Sequence, residues 1–185
     1  MIKTIYLVLC CLIGIVFSCA NSKAEYEEVQ KLQNITEQTI QHTSDYDLKI
    51  KACDGAINVL NDFVTKHKDG KWNTTATTAL QSWESKKYSL QQEIELLTKK
   101  LSDLMNYRAF EEANKLHPGS RIEQLSLSVH KSEKYGTKFI FNNTYSAKMR
   151  GAFLGKHIFN FVVKVSGHIA TDTKQAVVDS ATIEE

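Results

Sequence analysis

The side chains with the most chemistry to offer are four cysteines and six histidines, and their spacing decides what they can do. His42, His67, His117, His130, His157 and His168 include no pair three to five residues apart. The Cys and His spacings of zinc sites are missing too, so no metal centre is expected. No Gly-x-Ser-x-Gly elbow, phosphate-cradling loop or dinucleotide fingerprint is present. Asp54 has no identifiable partner in the sequence, and Glu111-Glu112 and Glu184-Glu185 read as solvated neighbours. No catalytic residue and no cofactor is therefore nominated. Thiol chemistry remains. Cys10 and Cys11 lie inside an apolar run, and Cys53 sits among apolar residues on a predicted helix face, as a small buried hydrophobe. Cys19 alone stands at the boundary where an apolar run gives way to polar sequence.

That run is Ile5 to Phe17, thirteen residues preceded by the positively charged opening Met1-Ile2-Lys3. As a helix it would span about 20 Å, short of a bilayer core of about 30 Å. It fits the hydrophobic region of a secretory signal better than a permanent span. Val16-Phe17-Ser18-Cys19 resembles the lipobox of bacterial lipoproteins, with an aliphatic residue three before the cysteine and a small residue just before it. Phe17 is bulkier than the family's usual residue. The resemblance implies a diacylglycerol on the Cys19 thiol, cleavage between Ser18 and Cys19, and acylation of the new amine. Each buried CH₂ contributes about 0.8 kcal/mol, so several chains make such an anchorage permanent. An ordinary signal cut near Ala20 or Ala24 is the alternative. With Cys19 lipidated, only Cys53 is left as a thiol and no intrachain disulfide is possible. Ala20 lacks the aspartate that retains many enteric lipoproteins in the inner membrane, so the analogy implies the outer membrane, on its periplasmic side.

The elements that follow must build whatever this end anchors. The chain has 185 residues, net charge +2, one proline and eight glycines. That length suits one ordinary domain or two small subdomains, and the near-neutral balance offers no case for a nucleic-acid partner. Sequence boundaries divide it into a signal (1–18), a tether or weak helix (19–43), a helical region (44–118) and a β-rich region (119–185).

A weak stripe of Tyr26, Val29, Leu32 and Ile35 predicts a modest helix or a polar tether from Ala24 to about Thr43. Ser44-Asp45 is a helix-start signal, and Ile50, Cys53, Ala56, Ile57, Leu60, Phe63 and Val64 recur at helical spacing. Lys66, His67 and Lys68 favour a helix end, with Gly70 as the stop. From Asn73 to about His117 there is neither proline nor glycine. Trp83, Leu90, Ile94, Leu97, Leu101 and Leu104 predict one seam with heptad-like steps. Lys87 interrupts it, which suggests a change of packing partner there. A break near Asn106 would shorten a helix otherwise about 65 Å long.

Ala56, Ile57, Leu60, Phe63 and Val64, then His67-Lys68-Asp69-Gly70-Lys71-Trp72, then Ala76, Ala79, Leu80 and Trp83, resemble a tetratricopeptide-type junction. The variant is the one found in bacterial outer-membrane assembly lipoproteins. Lys68-Asp69 stand where that family commonly has proline. The match covers about 35 residues without a second copy, and a stack normally needs about three. A bare helical hairpin is the alternative.

Beyond Pro118-Gly119 the period changes to two. Leu125, Leu127 and Val129 alternate with Ser126, Ser128 and His130, and Phe159, Phe161, Val163 and Val165 alternate with Asn160, Val162 and Lys164. Runs around Phe141 and Tyr145, and from Val177 to Ile183, complete a predicted four-stranded antiparallel meander. Strands segregated from helices give an α+β class. Lys131, Lys134, Lys138, Lys148, Arg150, Lys156 and Lys164 face only Glu133 between residues 130 and 164. They suit either anionic headgroups or the blocking of strand-to-strand aggregation. The expected function is a non-catalytic, lipid-anchored cell-envelope protein, a scaffold docking other envelope proteins, with the membrane as its second partner. The alternative is an apolar ligand held between sheet and helices, motivated by Phe139, Phe141, Phe159 and Phe161.

Overall fold

The computed structural model describes residues 22–116, 121–135, 138–150 and 158–184. Three helices come first: α1 (Ser22–His42), α2 (Tyr46–Lys66) and α3 (Asn73–Leu116). Four strands follow: β1 (Arg121–Tyr135), β2 (Lys138–Arg150), β3 (Ile158–Ala170) and β4 (Gln175–Glu184). The class is α+β, and each strand pairs antiparallel with the next in the order β1-β2-β3-β4. Among the described residues no helix is long and apolar enough to cross a membrane. The chain forms two compact units, and the boundary falls inside α3. One unit holds the residues up to Thr43 with Asp47–Gln91, the other Ser44–Tyr46 with Gln92–Glu185.

In the first unit α1 is a helix of 21 residues. Its buried side is Tyr26, Val29, Thr36 and Ile40, not the stripe ending at Ile35, which is exposed. The reason is the helical period: steps of three, seven and four from Tyr26 keep to one face, while Ile35 swings away. Thr36 is tolerated there because its hydroxyl donates to the Leu32 carbonyl at 2.9 Å. From α2 come Ala52, Cys53, Ala56, Leu60 and Phe63, and from the start of α3 Ala76 and Trp83. Tyr26 stacks on Trp72 at 5.3 Å and tilts against Phe63 at 5.4 Å. The α2–α3 turn closes through Gly70, whose amide donates to the His67 carbonyl. The Asn73 side-chain amide donates to the Val64 and His67 carbonyls, both at 3.1 Å. It thereby satisfies carbonyls that the end of α2 leaves without helical partners.

In the second unit the later part of α3 lies on one face of the sheet. Leu97, Leu101, Met105, Ala109 and Ala113 pack with Phe141, Tyr145, Met149, Phe161, Val163, Val165 and Ile169. Steps of four make one straight ridge. This corrects the expected seam: Leu104 is exposed and Met105 takes the inward position. The helix also runs unbroken past Asn106. The sheet's inner face is read directly from β2, where buried Phe141, Asn143, Tyr145, Ala147 and Met149 alternate with Asn142, Thr144, Ser146 and Lys148.

Register shifts shape the sheet: two in β1, the first between Ile122 and Gln124, and one between β3 and β4. A register shift in β1 between Leu127 and Val129 pairs Leu127 with inward Tyr145 but Val129 with outward-alternating Thr144. The two residues thus leave the common face that simple alternation predicts. The shift between Ser166 and Gly167 leaves Asp179 as an extra residue of β4. A Cβ on Gly167 would stand 2.8 Å from the Val177 carbonyl oxygen and 2.9 Å from Leu101 Cδ1. Only glycine lets the bulged strand and the helix approach so closely. In the β3–β4 turn Lys174 takes a left-handed backbone (φ 53°), and its ammonium reaches Glu93 at 2.6 Å.

Candidate interaction surface

Cys19, the residue to which the sequence assigns lipidation, lies outside the described residues, as do His117 and His157. Cys53 is fully buried, and burial pushes its thiol pKa up. The thiolate is the reactive form, so Cys53 is inert in the folded chain. We expect iodoacetamide to leave Cys53 unmodified in native protein and to label it fully in urea, as peptide mass mapping would read; rapid native labelling would contradict this packing. Asp54 does have a partner: its carboxylate meets Lys87 Nζ at 2.6 Å. Sequence inspection misses the pair because its members lie on different helices. It also gives Lys87, which breaks the apolar seam, a structural role within the first unit.

The described histidines are spoken for by hydrogen bonds in three cases. His130 Nδ1 contacts Asn143 Oδ1 at 2.7 Å, and His168 Nδ1 contacts the Asp179 carboxylate at 2.9 Å. His67 Nε2 is paired with Glu25. Among the described residues no group of three or more His, Cys, Asp or Glu side chains could hold a metal ion.

The Glu25 site is another titratable cluster that spacing could not reveal. The carboxylate belongs to the first turn of α1, yet it is only 5 % exposed. Lys66 Nζ donates to its Oε1 at 2.7 Å while His67 occupies Oε2. Burial alone would raise the carboxyl pKa, but the hydrogen bonds and charges of Lys66 and His67 outweigh it and hold the group below 4.5. Lys66 and His67 stand 41 and 42 residues away in sequence. The arrangement clamps the start of α1 to the end of α2; Phe63 flanks the His67 ring at 4.7 Å.

On the outer face of the sheet a shallow concavity of about 430 Å³ is lined by Gln124, Ser126, Ser146, Lys148, Asn160 and Glu184, among others. Ala147, Phe161 and Val162 complete its lining, and its donors and acceptors are dispersed. The basic excess of the strands is partly matched within the unit. Lys134 meets Asp45 at 2.8 Å, Arg150 meets Glu123 at 2.5 Å and Lys164 meets Glu184 at 2.6 Å. Phe141 and Phe161 are core residues, and Phe139 packs against them; the Phe159 side chain lies outside what the structure describes. Tyr46, nearly fully buried, faces Glu93 with its hydroxyl, and burial together with that carboxylate pushes its pKa up.

The surface that packing leaves unexplained is the outer side of α3 within the second unit. Leu96 is 68 % exposed, Tyr107 63 %, Phe110 45 % and Leu104 37 %. Their neighbours hold the helix firm: Arg108 pairs with Glu111 and Glu112, each at 3.0 Å, and Lys115 with Glu112 at 2.8 Å. Glu111 also accepts from the Tyr107 hydroxyl. Large apolar side chains recurring along one exposed helical side are the usual mark of a docking surface. The heptad seam expected from the sequence includes Leu104 but not Leu96, Tyr107 or Phe110. Their own helical spacing was the available signal. Comparison of the chain with protein-family models, with curated proteins and with solved structures finds no match in any of the three.

Proposed function

We propose that this chain is a lipid-anchored cell-envelope protein of non-catalytic type that docks other proteins at the membrane. The observation that carries the proposal is Cys19 in Val16-Phe17-Ser18-Cys19, directly after a charged opening and an apolar run too short to span a bilayer. Helix α1 begins at Ser22, three residues beyond the proposed lipid site. Three extended residues reach about 10 Å, which would hold the helical unit close to the headgroups. The analogy of Ala20 favours the outer membrane, periplasmic side. The exposed apolar side of α3 supplies a rigid surface of the kind a docking protein needs.

Cys19→Ser is the direct test. In cells given labelled palmitate, the unaltered chain is expected to carry label and the variant to lose it, accumulating as unprocessed precursor. Crosslinking in the same cells is expected to recover a reproducible protein partner. Unchanged labelling of the variant would refute the anchor, and crosslinks no better than background would refute the docking role.

A further inference from the structure

Leu96, Lys100, Asp103, Tyr107 and Phe110 follow one another at steps of four, three, four and three. That is the spacing of a helix-pairing seam. All five are exposed, while Leu97, Leu101, Met105 and Ala109 turn into the core. The later half of α3 therefore carries a second seam that no element among the described residues covers. We propose that the occupant of this seam is a second copy of the chain, its α3 lying antiparallel to the first about a twofold axis between residues 101 and 102. The inference rests on reading this side of α3 as a docking surface, and not on the lipid anchor.

Charge selects both the partner and the direction. Parallel, in-register pairing would set Asp103 against Asp103 and Lys100 against Lys100, with like charges in the middle of the contact. Antiparallel pairing in the register named sets Asp103 of each copy against Lys100 of the other, with Lys99 of the other beside it. Leu96 then meets Tyr107 of the second copy on either side of this central layer. Such a seam is self-complementary, as a twofold interface must be. At the two ends Glu93 falls opposite Phe110 of the second copy, with Glu111 of that copy beside it. Each glutamate already has a cation of its own chain, Lys174 at 2.6 Å and Arg108 at 3.0 Å. A contact of one helical face per copy belongs to the smallest class of specific interfaces, so association is expected in the micromolar range.

The test is sedimentation equilibrium of the full chain in density-matched detergent, up to about 100 µM, where an interface of this class is populated. The unaltered chain is expected to self-associate to a dimer. Asp103→Lys faces lysines with lysines and is expected to raise the dissociation constant at least about tenfold. Adding Lys99→Asp and Lys100→Asp to Asp103→Lys restores opposite charges and is expected to bring it back to within about threefold of the starting value. All three positions are exposed, so circular dichroism of the variants should match the parent. A chain monomeric throughout, or a dimer indifferent to the charge reversals, overturns the proposal. If the chain is monomeric while Leu96→Asp abolishes its crosslink to a different envelope protein, the second copy is refuted and the docking reading stands.

Discussion

Gly167→Ala is expected to destabilise the sheet unit by about 2 kcal/mol, and Gly167→Val by about 3 kcal/mol, the range seen when atoms are forced into a packed core. The cause is specific. A new Cβ meets a backbone oxygen, that of Val177, and the Leu101 methyl from the opposite side. The strand cannot yield without undoing the bulge at Asp179, and Leu101, at 1 % exposure, has no free space to enter. Leu101→Ala by itself removes buried atoms and is expected to cost about 3 kcal/mol. Combined with Gly167→Ala it gives the new methyl somewhere to go. The double variant is therefore expected to lose about 1 kcal/mol less than the two single losses together. Far-UV circular dichroism in urea, with hydrogen exchange on β3 and β4, would measure it. A Gly167→Ala chain within about 0.5 kcal/mol of the parent, the scale of an ordinary surface change, would contradict the close approach.

Glu25→Ala, at a buried carboxylate in the first turn of α1, is expected to destabilise the first unit by about 2 kcal/mol. Breaking a fully buried pair costs about 3–5 kcal/mol, but the Lys66 side chain is 41 % exposed and regains water, which reduces the loss. The pH dependence has a definite sign. The Glu25 carboxyl is held below its ordinary 4.5, so the folded form binds its proton less readily than the unfolded chain. Its contribution is fully present above about pH 4.5 and is lost as pH falls through the lower folded value. Glu25→Gln should flatten that acid limb while leaving a smaller, pH-independent loss. Trp72 and Trp83 both belong to this unit, and they are the only two tryptophans in the chain. Their fluorescence therefore reports this unit and not the sheet. An acid limb of equal steepness in parent and Glu25→Gln would exclude the clamp as its source.

Neither of these two sites is disclosed by the sequence, although the elements that build them are. Periodicity carries most of the architecture: apolar spacing of three and four marks α2 and α3, alternation marks β2 and β3, and their segregation gives the α+β class. Periodicity reports only local geometry, however. It cannot show that β1 slips by one residue after Leu127, because a bulge is a property of two paired strands. It cannot show that Gly167 faces Leu101, or that Glu25 meets Lys66 from another helix. The α3 seam departs from the expected heptad at Leu104 for a related reason. A heptad pattern suits a helix pairing with a helix, whereas a helix on a sheet packs here along an i+4 ridge that admits Met105, Ala109 and Ala113. Lys87 was more informative. Its interruption of the apolar seam lies just before the boundary at Gln91, where α3 passes from one unit to the other.

Cys19 is read from the sequence alone, so chemistry at that residue weighs most. Mass spectrometry of the N-terminal peptide from protein taken from its native membrane measures it directly. The account predicts a peptide that begins at Cys19 and carries the added mass of a diacylglycerol and an acyl chain. A peptide beginning at Ala20 or Ala24, or one that begins at Cys19 with no added mass, would contradict it.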